Sequence, residues 1–137
     1  MFKGWGRRQG EKAAGPAPGS KQIGDSAEDR ALTYLQQQGL RLVQRNYRLA
    51  GGPRQHGAEI DLILRDRDGT LVFVEVRTRR SAAQGGAAGS VSAVKQQRIV
   101  RAAQHYLMGL AALPPCRFDV VAIEGEALQW LPGAFSA

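Results

Sequence analysis

Residues 59–65 read Glu59-Ile60-Asp61-Leu62-Ile63-Leu64-Arg65; Asp66-Arg67-Asp68-Gly69 follows, then Thr70-Leu71-Val72-Phe73-Val74-Glu75-Val76-Arg77-Thr78. The fold is decided in this stretch. In its first arm Ile60, Leu62 and Leu64 share one face, while Glu59, Asp61 and Ile63 share the other. In its second arm Val72, Val74 and Val76 lie opposite Leu71, Phe73, Glu75 and Arg77. The charged, glycine-ended segment 66–69 reverses the chain between them. The spacing predicts a β-hairpin, unusual in carrying carboxylates inside an otherwise apolar pattern.

Upstream, Leu40 to Leu49 reads as a further strand, closed by Gly51-Gly52-Pro53. Before it, Asp25 and Glu28 have a capping-box-like spacing and Gly39 is a natural stop, which predicts a helix between them. Glu28, Ala31, Leu32 and Leu35 follow i, i+3, i+4, i+7, placing Glu28 on the buried stripe. Its plain alternative is a first-turn acid complementing the helix dipole. Residues 1–22 are glycine- and proline-rich with a basic excess, read as a disordered arm with Trp5 its only large anchor. Residues 23–137 then form one domain.

Downstream, 81–90 is a small-residue loop, followed by a helix from about Val91 to Leu110 with Ile99, Ala102, Ala103, Tyr106 and Leu110 on its core face. Lys95 lies one turn upstream on the same stripe. Pro114-Pro115 closes that region, Arg117 to Ile123 reads as a fourth strand, and the segment with Trp130 reads as a short cover. The order helix-strand-strand-strand-helix-strand predicts a three-layer α/β/α domain with a mixed central sheet and one helix on each side.

Composition sets the class. The 137 residues suit one domain, and 19 basic against 12 acidic side chains give +7, with a pI near 10.3. That excess favours a polyanionic partner. No run approaches the roughly 18 apolar residues of a membrane span, and the N-terminus has charge without an apolar run, so a cytoplasmic protein with no membrane partner is expected. The single cysteine, Cys116, excludes an internal disulfide framework.

The chemistry gathers at Asp61, Glu75 and Arg77. Strand residues two apart share a face, so Glu75 and Arg77 project together. Two carboxylates converging from adjacent strands repel unless a cation joins them, and oxygen donors suit Mg²⁺ or Mn²⁺. Solvated strand-end acids bridged by arginines are the plain alternative. From Glu75 to Asp119 no acid intervenes, yet Arg77, Arg79, Arg80, Lys95, Arg98, Arg101 and Arg117 fall there. An anionic metal site with a cationic rim is what a phosphodiester substrate requires.

Gly24-x-x-Ala27-Glu28 through Tyr34-Leu35, Arg45-Asn46-Tyr47-Arg48, Glu59-Ile60-Asp61-Leu62-Ile63, Val72-Phe73-Val74-Glu75-Val76-Arg77-x-Arg79 and Lys95-Gln96 together resemble the YraN-like family of small bacterial proteins. That family resembles the PD-(D/E)xK nucleases, with their restriction-endonuclease-like fold shared with Holliday-junction resolvases. The resemblance implies Asp61 and Glu75 as metal ligands and Glu28 as the acid of the first helix. It implies DNA as substrate, branched or repair intermediates included; the basic rim, with Gln96 beside Lys95, gives Arg79, Arg80, Lys95, Gln96, Arg98 and Arg101 as the nucleic-acid-binding set. The nuclease pattern has lysine where this chain has Arg77, and arginine can stabilise charge but not shuttle a proton. Lys95, leaning toward the N-terminus of its helix, is the candidate for the displaced amine; a snorkelling lysine is the plain alternative. A DNA-binding module without turnover and a partner-binding scaffold are the rival functions, and self-association as a homodimer stays open.

Overall fold

The computed structural model describes residues 20–79 and 91–137. In chain order these form α1 (Ser20–Gln37), β1 (Arg41–Leu49), β2 (Ala58–Arg65), β3 (Leu71–Arg79), α2 (Ala93–Leu107), β4 (Cys116–Glu124) and β5 (Ala127–Phe135). Residues 1–19 with Trp5, Arg80 and the loop 81–90 lie outside the described residues.

The strands form one sheet in the order β1-β2-β3-β4-β5. Neighbours are antiparallel except β3 and β4, which are parallel and joined through α2. Leu62, Leu64, Val72, Val74, Val121 and Ile123 bury one face against Ala31, Leu32 and Leu35 of α1. Ile63, Leu71, Phe73 and Phe118 bury the other against Ile99, Ala102 and Ala103 of α2. This is the three-layer α/β/α arrangement with a mixed sheet that the order of elements implies.

Local chemistry sets the ends of the helices. Gly39 has φ of 102° and donates to Gln36 O at 3.0 Å, while Leu40 N donates to Leu35 O at 3.1 Å. That is a Schellman stop, with Leu40 and Leu35 packed together beneath it. At the other helix, Ser92 Oγ accepts from Lys95 N at 3.1 Å and fixes Lys95 in the first turn of α2.

Three expectations need correction. Helix α1 begins at Ser20, so Asp25 is not its cap and Glu28 lies about two turns inside it. A role complementing the helix dipole ends with the first turn, so it does not apply to Glu28. The Trp130 segment is an edge strand, β5, whose Pro132 breaks the strand signal but is tolerated at an edge. The third correction is Ile60, which packs in the α2-facing core while Leu62 and Leu64 pack against α1.

Asp119 on β4 is fully buried. Its carboxylate accepts from Arg117 Nε and Nη2 at 2.9 and 3.1 Å, Trp130 Nε1 at 2.9 Å and Gly133 N at 2.9 Å. Arg117 also reaches Asp66 in the β2–β3 turn at 3.3 Å. A buried carboxylate with four donors needs no further partner, and this one ties β5 to the sheet.

Candidate metal centre

The reactive side chains gather where the ladder between β2 and β3 ends. Pairing of these strands stops at Leu62–Val74. Beyond that rung β2 stays with β1 as far as Leu49–Ala58, and β3 stays with β4 as far as Arg79–Glu124. The sheet therefore forks. Asp61 stands at the apex, where its Oδ2 accepts the Val76 N–H at 2.8 Å. A side-chain oxygen here satisfies a backbone donor that the ladder has released.

Acids enter the fork from both layers. Carboxylate oxygens of Glu28 on α1 and of Glu59 and Asp61 on β2 lie within 4.8 Å of one another. Glu75, 9% exposed, arrives from β3 and stands close enough to Asp61 for the two carboxyls to act on each other. Arg45 braces Glu28 at 3.4 Å and Asp29 at 2.9 Å. From α2, Lys95 Nζ reaches to 3.5 Å from Glu75 Oε2. The positive charge of Arg77 acts on Glu75, and its buried Nη1 has no hydrogen-bond partner.

Burial, then the charge of Glu75, pushes Asp61 up to about 7, against the pull of the Val76 N–H. Burial also raises Glu75, opposed by Lys95, the hydrogen bond from Asp61, and Arg77. Glu28 is raised by burial and by Asp61, opposed by Arg45. Close carboxyls without a cation between them retain a proton. The donors are oxygen throughout, the set that hard divalent cations such as Mg²⁺ and Mn²⁺ take, so these residues fit such an ion.

A cleft of about 510 Å³ adjoins the fork, lined by Arg48, Gly57, Glu59, Lys95 and Arg98 among others. Of the residues expected at the site, Glu28, Asp61, Glu75 and Lys95 converge with Arg77 beside them, and Arg98 lines the cleft. Others are engaged elsewhere. Gln96 Nε2 donates to Val91 O at 2.8 Å, the Arg101 guanidinium donates to the His56 carbonyl, and Arg117 belongs to the Asp119 network. Arg79 ends β3, and Arg80 lies outside the described residues. Sequence reasoning missed Glu59, Asn46 and Arg48. Glu59 had a signal, since it precedes Asp61 by two residues on one strand.

The family model described as "Uncharacterised protein family UPF0102" matches residues 27–123, a span that holds every acid of the fork together with Lys95. The chain belongs to this family. It is the YraN-like family to which the motifs point. A UPF0102 protein of Methylibium petroleiphilum is 70% identical over 118 residues, 86% of this chain and 97% of the relative. One from Acidovorax sp. (strain JS42) is 59% identical over 130 residues, covering 93% and 96%. A third UPF0102 protein, from Paracidovorax citrulli, is 56% identical over 132 residues, with the same coverage of 93% and 96%. No described helix is long and apolar enough to cross a membrane.

Proposed function

We propose that the protein is a metal-dependent, nuclease-like hydrolase acting on DNA phosphodiesters. The observation that carries this reading is the meeting of Asp61, Glu75 and Lys95 at the fork of the sheet. Asp61 and Glu75 would hold Mg²⁺ or Mn²⁺, with Glu28 and Glu59 adjoining, and the ion would supply charge neutralisation and an acidified water. The chain's own groups do the rest. Lys95 positions the attacking water beside Glu75. Arg77, permanently protonated, stabilises charge developing on the phosphate. Arg48 and Arg98 hold neighbouring phosphates along the cleft, which positions the strand without reading its sequence.

A second reading, a DNA-binding module without turnover, draws support from Arg77, since the nuclease pattern carries lysine there.

Purified protein with linear, flapped and four-way DNA, in Mg²⁺ or Mn²⁺, tests both. The expected result is a divalent-dependent rise in Tm, lost in Asp61→Asn, together with metal-dependent product. No Tm shift at millimolar metal removes the metal centre. A Tm shift and salt-dependent binding without product select the binding module.

A further inference from the structure

Among the described residues, Asn46 is the non-glycine residue with positive φ, at 54°, and it sits inside strand β1. Side chains with a Cβ avoid this conformation, and asparagine is among the few that tolerate it. The rungs Arg45–Leu62 and Tyr47–Ile60 flank it, so Asn46 stands opposite Asp61. Both strands change face at this rung. Arg45 binds the acids of α1 and Leu62 packs in the α1-facing core, whereas Tyr47 and Ile60 pack in the α2-facing core. Residues two apart in a regular strand would share a face.

The turn of the backbone places the Asn46 side chain among the acids. With its nitrogen toward them, the amide donates to Glu28 Oε1 and Glu59 Oε2, each at 3.2 Å. Both hydrogens of the amide are then used, one on each carboxylate.

We propose that Asn46 is a positioning residue of the cation site. It holds Glu28 and Glu59 side by side, so that a divalent cation meets oxygens already gathered. This rests on the metal-dependent reading above and extends it to a residue that ligates nothing. Two adjacent carboxylates repel, and a neutral donor to each offsets that repulsion without adding a charge that would compete with the cation. Partners that orient ligating carboxylates typically contribute about 10–100-fold to metal affinity.

The test is Mn²⁺ binding to the full chain by calorimetry, with metal-free melting in parallel. Asn46→Gly keeps the left-handed backbone and removes the donors. Its metal-free Tm should fall slightly, by less than that of Asn46→Ala, while its Mn²⁺ Kd rises about 10–100-fold. Asn46→Ala lacks the donors and also strains the backbone, so it should share the affinity loss and melt lower. If Asn46→Gly binds Mn²⁺ like wild type, the residue serves the backbone alone and the positioning role is wrong. If wild type itself takes up no Mn²⁺, the metal-dependent reading falls, and this proposal with it.

Discussion

Lys95 Nζ, from the first turn of α2, and Glu75 Oε2, from β3, stand 3.5 Å apart. The contact brings an ammonium from one helical layer to acids that the other layer and the sheet supply. Its consequence is kinetic. Lys95→Ala should lower metal-dependent cleavage by about 10²–10⁴-fold while leaving Mn²⁺ affinity within a few-fold, and Arg77→Lys should preserve or raise the rate. Single-turnover kinetics beside calorimetry checks both. Wild-type cleavage by Lys95→Ala would remove the amine from the mechanism.

The proton at the fork makes stability depend on pH. Asp61 is raised from its ordinary 3.8 to about 7 by burial and by Glu75. Between those values the native chain binds a proton that the unfolded chain has released, so stability falls as pH rises through that window. The loss is on the order of a few kcal/mol. Asp61→Asn keeps an oxygen for the Val76 N–H and removes the titration. Without divalent metal it should melt above wild type at pH 8 and close to it at pH 4. Excess Mg²⁺ should narrow or reverse the gap at pH 8, because wild type alone gains from binding. Identical pH profiles for the two proteins would show that Asp61 is not the group responsible.

The hairpin and both helices were legible because periodicity reports which face a side chain takes, whereas the place of Glu28 beside Asp61 and Glu75 came from the family resemblance. What periodicity cannot report is where a pleat breaks. Ile60 turns to the α2 side next to the rung where Asn46 takes its left-handed backbone, and nothing in the alternation of 59–65 announces it. Glu59 shares the face of Asp61 in the alternation, but its proximity to Glu28 depends on the fork, which is a property of how far two ladders extend. Strand β5 was hidden by Pro132 and Gly133, residues that an edge accommodates and a central strand does not. A run of arginines does not say which of them are already occupied, and Arg101 and Arg117 are.

Phosphate contacts should come from the arginines that line the cleft, Arg98 and the exposed Arg48, whose pairing with Glu59 is loose at 3.8 Å. Arg48→Ala with Arg98→Ala should reduce the slope of log K against log salt for DNA by about two, roughly one per lost contact. Arg117→Ala should leave the slope unchanged and instead strip two of the hydrogen bonds from buried Asp119. Breaking that pair should destabilise the fold by about 3–5 kcal/mol. Salt titrations of binding and denaturant melts separate the two effects. A slope that responds to Arg117 as strongly as to Arg48 and Arg98 would overturn the assignment.

The hairpin of β2 and β3 grows outward from its turn through Arg65–Leu71, Leu64–Val72, Ile63–Phe73 and Leu62–Val74, and its pairing ends there. The repelling acids thus stand one step past the last rung. Contacts between sequence neighbours close with the least loss of chain entropy and form early. On this geometry the zipper is expected to close before the carboxylates meet, so that their repulsion should speed unfolding rather than slow folding. A lineage can therefore exchange or lose an acid at this cluster without disturbing the route by which the sheet that displays it is made.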